Sequence, residues 1–234
     1  MEKIIYLLWR DPAATPETFA AHVREVLAPE LRTAGALSLK LNLADAGVAK
    51  AVGLRQVLLK PQPEALVQLW TDSAIALLRA PLDAAIARAA PRHAAYLVTE
   101  SQPRVNVKHP GKPGERTHGF AQIALLRKPP TLAYGAWLDV WHNSHTFVAN
   151  ETQSTFEYIQ NVVIRPLTAD APAIDAIVEE CFPPEAMTDY KAFFDAPGDE
   201  AKFKANLNRM LQSVSRFIEP GQLDVIPTSQ YPSF

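Results

Sequence analysis

The stretch WLDVWHNSHTF, Trp137 to Phe147, gathers two tryptophans and two histidines from a chain that holds four Trp and six His in all. Histidine takes and gives a proton near neutral pH more readily than other side chains. The stretch therefore reads as a proton-transfer site, a metal or haem site, or an aromatic helix face with histidines near its end. On a helix, Trp137, Val140, Trp141, Ser144, His145 and Val148 form one stripe that is expected to face inward. Asp139, His142 and Asn143 then fall toward the flank or solvent. His145 is the one strongly polar member of the stripe and leads the candidates; its bland alternative is a core histidine bonded to a backbone carbonyl. A structural zinc is rejected, because Asp139, His142 and His145 drift off one side of a helix and no paired His motif or Cys cluster supports them. A haem needs only one axial histidine in a large apolar cavity, and the sequence leaves that minor alternative open.

The elements that must position this stretch belong to an ordinary globular chain. Of 234 residues, 48% are hydrophobic and 21% charged, which is ample material for a core. The net charge of −2 gives no attraction to nucleic acid or to an anionic membrane. The single cysteine, Cys181, rules out an internal disulfide and reads as a strand core residue in a reducing compartment. The apolar run from Ile4 to Trp9 is too short for a secretion signal or a membrane span, so a soluble, cytoplasmic protein is expected. With nine glycines there is no phosphate-binding loop, and no Gly-x-Ser-x-Gly elbow occurs.

Sliding the chain by 118 positions lays KIIYLLWRDPAATPETFAAHVREVLAP over AQIALLRKPPTLAYGAWLDVWHNSHTF without a gap. Ile5 meets Ile123, Leu7 and Leu8 meet Leu125 and Leu126, Pro12 meets Pro130, and Phe19 meets Trp137. The order continues through strands at Ala36 to Leu43 and Tyr158 to Ile164. A third strand running into a second helix follows at Glu64 to Leu78 and Ile177 to Phe194. Short fourth strands lie at His93 to Glu100 and Gly221 to Pro227. Each half thus reads β-α-β-β-α-β, a ferredoxin-like unit. The fold expected is α+β, with tandem ferredoxin-like βαββαβ repeats forming an intramolecular, pseudo-dimeric α+β barrel. Its two sheets would pack face to face with all helices outside. The expected division is 1–104 for the first repeat, 105–118 for a Pro- and Gly-rich linker and 119–234 for the second.

With Trp137, Trp141 and His145 four residues apart on a helix and the strand run Tyr158-Ile159-Gln160-Asn161, the chain resembles the EthD-like members of the dimeric α+β barrel superfamily. The family's first helix carries an aromatic, a tryptophan four residues on and a histidine four further, as Trp137, Trp141 and His145 stand here. Its second strand often holds a Tyr-hydrophobic-Gln-Asn run, matched by Tyr158-Ile159-Gln160-Asn161. The resemblance spans nearly the whole chain as two copies and implies that one chain stands for the usual homodimer. The first half departs from the pattern, with Val23 in place of the tryptophan and Leu27 in place of the histidine. The resemblance therefore implies a site in the second half alone, and some relatives bind haem; by the repeat, Leu27 is expected in packed core.

Strand parity nominates the other lining residues. The repeated aliphatics Ile5/Ile123 and Leu7/Leu125 are expected under the helices. The opposite faces, Ile4, Tyr6 and Leu8 with Gln122, Ala124 and Leu126, are expected to line the cavity; Tyr6 and Gln122 are its polar candidates. Tyr158 and Asn161 have opposite parity. Tyr158 is favoured as proton donor or oxyanion anchor, and Asn161 is left to the site or to a strand edge. Glu179-Glu180 would ordinarily be a solvated edge, but a carboxylate inside an apolar barrel would be raised in pKa, which makes Glu180 a second base candidate. Met187, Tyr190, Phe193 and Phe194 read as helix packing.

The function that the resemblance implies is a cofactor-independent proton-transfer enzyme, a lyase or isomerase of cyclase, dehydratase or decarboxylase type. Its substrate would be a small apolar aromatic or polyketide-like molecule. His145 and Tyr158 are the expected catalytic pair, with Trp141, Asn161, Gln122, Tyr6 and Glu180 around the substrate. No metal, nucleic acid or membrane is expected as a partner, and a homodimer of the pseudo-dimeric chain stays open. The alternative is a non-catalytic or stress-associated protein that binds a small hydrophobic ligand.

Overall fold

The computed structural model describes residues 1–234. Strand β1 (Glu2–Trp9) opens the chain. Helix α1 (Pro16–His22) follows, with Thr15 and Thr18 forming a capping box and Pro16 in the first turn, where its missing N–H costs nothing. A π turn over Val23–Leu27 leads into α2 (Ala28–Thr33), β2 (Ser38–Leu43) and a 3-10 segment, Ala46–Leu54. Next come β3 (Ala65–Thr71), α3 (Ala76–Ala89), β4 (Arg92–Arg104) and β5 (Phe120–Leu126). Helix α4 (Tyr134–Val140) runs through a second π turn, Trp141–His145, into α5 (Thr146–Thr152). The chain ends with β6 (Glu157–Pro166), β7 (Ala176–Phe182), a 3-10 turn at Pro184–Met187, α6 (Tyr190–Phe193), α7 (Glu200–Val214) and β8 (Leu223–Pro232).

All eight strands join in one closed antiparallel barrel in the order β1-β3-β2-β8-β5-β7-β6-β4. This corrects the expected tandem ferredoxin-like α+β barrel with two sheets packed face to face. The halves meet edge to edge through backbone hydrogen bonds, β2 against β8 and β4 against β6. An open four-stranded sheet would leave two rows of unpaired N–H and C=O groups, and closure gives each edge a partner strand. Strand β4 is longer than expected because it reaches past Glu100 to pair Ser101 with Gln160 and Arg104 with Tyr158.

The parity expected for β1 and β5 is also reversed. Ile5, Leu7, Ile123 and Leu125 point into the barrel, where they pack with Leu66, Tyr96 and Ile226. Ile4, Tyr6 and Leu8 instead pack under Phe19, Val23 and Leu27 of the first helical layer. The run IIYLLW is apolar on both faces because each face has a core to fill.

The other half of the barrel interior is polar. Glu179, fully buried, ion-pairs with Lys40 at 2.6 Å and accepts from Asn42 (2.6 Å), Gln68 (2.9 Å) and Gln230 (2.8 Å). Burial opposes its charge, but Lys40 and these donors outweigh that and hold its carboxyl below the usual range. Lys3 donates to Asn161 Oδ1 at 2.7 Å and pairs with Glu100. Cys181 lies in the same interior, 3.2 Å from the Glu157 carboxylate.

Candidate functional site

The outer face of β5, β7 and β6 carries three of the candidate side chains. On adjacent strands Gln122 lies opposite Glu180, and Glu180 opposite Tyr158, so three polar side chains form a row across the sheet. Above that row, helices and sheet flank a half-open cavity of about 530 Å³. Trp141 and His145 of the π turn line it, with Phe193, Phe194, Met210 and Phe217 among its apolar walls. The cavity thus sits between the barrel and its helices, outside the barrel interior.

The π turn sets the geometry. Both the amide and the hydroxyl of Thr146 donate to Trp141 O, five residues back, so the helix takes in one extra residue. That residue rotates the stripe downstream: Thr146 and Ala149 are buried, whereas Val148, expected inward, is only half-buried. Thr146 then accepts from Gln160 Nε2 at 2.8 Å. The Tyr158 phenol oxygen accepts from Trp141 Nε1 at 3.0 Å and from Gln160 Nε2 at 3.2 Å. These donors favour negative charge on or beside the oxygen. Burial and the neighbouring Glu180 charge nevertheless push the phenol pKa well up, so Tyr158 keeps its proton.

His145 is 8% exposed, and its ring lies 4.6 Å from that of Phe217. Its Nδ1 shares a 3.0 Å hydrogen bond with Ser213 Oγ, whose direction depends on the tautomer. Burial lowers its pKa to about 4, so the imidazole is neutral at pH 7. Glu180 is equally hidden, at 8% exposure, and its Oε1 has no hydrogen-bond partner. Burial raises its pKa to about 7, against the pull of the Arg104 charge. Of the two candidate bases, the carboxylate is the one poised near neutrality.

The structure brings His145, Tyr158, Trp141, Gln122 and Glu180 around one cavity. Two other candidates lie elsewhere. Tyr6 packs under the first helical layer and donates to Asp83 at 2.8 Å. Asn161 faces the barrel interior, where it binds Lys3 and donates to Ile177 O at 2.9 Å. Leu27, the counterpart of His145, is fully buried in apolar core. Ser213, Phe217 and Arg55 were not singled out by sequence reasoning; they come from segments with no motif. The wall residues Phe193 and Phe194 read there as packing alone. No cluster of three or more His, Cys, Asp or Glu is placed to share a metal ion, and no helix is long and apolar enough to cross a membrane.

No protein-family profile and no curated protein matches the chain in sequence. Among solved structures, the chain is similar to an anthrone oxidase-like protein, with a TM-score of 0.55 and 11% identity over 99% of this chain and 93% of that one. A candidate monooxygenase from Lactobacillus acidophilus NCFM aligns over 99% of this chain and 95% of its own, with 9% identity and a TM-score of 0.46. The first likeness establishes a shared fold; the second is too loose to argue from.

Proposed function

We propose that the chain is an enzyme that moves a proton on a small, apolar, aromatic molecule held in the cavity, with no cofactor. The observation that carries this reading is the Glu180 carboxylate oxygen, buried, unpartnered and lining an aromatic-walled cavity beside Tyr158. Glu180 is the base, because a pKa of about 7 lets it take and return a proton at neutral pH. His145 takes the role of a neutral hydrogen-bonding group, since a pKa of about 4 leaves it a weak base. Tyr158, braced by Trp141 and Gln160, stabilises the oxyanion that forms when the substrate loses its proton. The reaction is then of lyase or isomerase type. In this division of labour residues 119–234 carry the reacting groups, and residues 1–104 supply the segment Gly53 to Gln56 as cavity wall.

A second reading takes its support from the name of the structural neighbour. An anthrone deprotonated at its methylene carbon reacts with dioxygen to give the anthraquinone and water, one O₂ consumed per anthrone. Both readings begin with proton removal, so one experiment tests both. Anthrone in D₂O under nitrogen should exchange its methylene protons faster with the protein present, and Glu180→Gln should abolish the acceleration. Oxygen uptake in air would select the second reading. Binding without exchange would refute both and leave a ligand-binding protein.

A further inference from the structure

Among the residues that line the cavity, Arg55 is the sole lysine or arginine. It comes from the first half of the chain, just beyond the 3-10 segment that Asp45 caps. Its neighbour Gln56 bridges Val225 of β8 through two backbone bonds, at 3.1 and 3.0 Å. The guanidinium itself makes one hydrogen bond, Nη1 to Gln62 Oε1 at 2.8 Å. The Gln62 amide nitrogen is engaged by Asp224 Oδ1 at 2.7 Å, which turns its carbonyl oxygen toward Arg55. Arg55 is thus steadied by a neutral acceptor and forms no ion pair. Glu219 lines the same cavity, and Glu17 and Asp45 line a second pocket that Arg55 touches, yet none pairs with it.

A guanidinium offers five N–H donors in a planar fork that matches a carboxylate or sulfonate. Here one donor is used and no carboxylate bonds to the guanidinium. Half-burial lowers the pKa, and the nearby Glu64 carboxylate, which bonds to Arg10 instead, offsets that only in part. We propose that Arg55 is the specificity residue of the cavity, receiving an anionic oxygen carried by an otherwise apolar aromatic ligand. This rests on the reading of the cavity as a substrate site and narrows its substrates to aromatic acids or phenolates. The ligand's apolar body fills the aromatic wall while its charged end meets the first half of the chain.

The probes are 8-anilinonaphthalene-1-sulfonate and N-phenyl-1-naphthylamine, which share one apolar skeleton and differ by the sulfonate. Titration calorimetry measures both against wild type, Arg55→Gln and Arg55→Lys, with melting curves to show that each variant is folded. Wild type should bind the sulfonate more tightly. Arg55→Gln should weaken the sulfonate about tenfold, in line with the loss of a charged hydrogen bond, and leave the uncharged probe within about twofold. Arg55→Lys should recover part of the loss, because it keeps the charge and loses the fork. Equal weakening of both probes, or no change in their ratio, overturns the assignment and makes Arg55 a wall residue. That failure leaves the anthrone exchange result standing, whereas failure of both probes to bind wild type overturns the cavity reading as well.

Discussion

Glu180→Gln should stabilise the fold in alkaline solution while it removes proton transfer. In the unfolded chain the carboxyl titrates near its ordinary 4.5, and in the folded protein near 7, because burial penalises the anion. At about 1.36 kcal/mol per pH unit, that separation amounts to about 3 kcal/mol. Below pH 4.5 both states hold the proton, and ionisation costs nothing. Between 4.5 and 7 the unfolded chain releases its proton while the folded protein keeps it, so wild-type stability falls as pH rises. Above 7 the full penalty applies. Glutamine never ionises, so the variant should gain about 3 kcal/mol relative to wild type between pH 4.5 and pH 8. For a chain of this size the gain should read as about 6–12 °C in melting temperature. Urea unfolding of both proteins at the two pH values measures it. If the difference between them is the same at pH 4.5 and pH 8, the carboxylate ionises as it does in water. It would then be no base at neutrality, and the proposed mechanism would lose its first step.

Tyr158→Phe should lower kcat about a hundredfold with KM nearly unchanged, because the oxygen that meets the transition state is gone; a change in KM alone would refute that role. The same change strands Trp141 Nε1 and should cost about 1–3 kcal/mol of stability. In a histidine NMR titration, His145 should stay neutral from pH 8 down to about pH 5 and then protonate near 4, with stability falling between 6.5 and 4 as the unfolded chain takes up the proton. A midpoint at 6.5 would contradict its burial. Lys40→Met should cost about 3–5 kcal/mol by leaving Glu179 charged and buried, and Lys40→Met with Glu179→Leu should recover most of it. A loss in the double variant equal to the sum of the Lys40→Met and Glu179→Leu losses would show that the pair is not coupled.

Periodicity located the helix that bears Trp141 and His145 and the strands that bear Tyr158 and Glu180, and the aromatic spacing pointed to this side of the molecule. It could not reveal how the halves join, because edge-to-edge closure is made by backbone groups that every residue shares. It also misplaced the faces of β1: in IIYLLW both parities are apolar, and only the packing shows which side meets helices. Glu179-Glu180 read as a solvated edge or, at Glu180, as a base inside the barrel; neighbouring strand residues point opposite ways, and both sides of β7 are buried. One carboxylate met Lys40 and the other met the cavity. The π turn carries no residue signature at all, so the inward position of Thr146 was beyond reach. Arg55 and Ser213 join the site from segments far away in the chain, where spacing says nothing.

The seam between β2 and β8 also governs how the chain must be made. Ser38 bonds to Phe234 across a separation of 196 residues, so the ring of strands stays open until β8 has left the ribosome. At synthesis rates of about 5–20 residues per second, β2 waits on the order of 10–40 s with one edge bare. During that wait Leu39, Leu41 and Leu43 can shelter under the first helices, but the backbone of β2 finds no mate on that side. The nascent first half is thus the stage most open to strand-to-strand aggregation and to capture by chaperones.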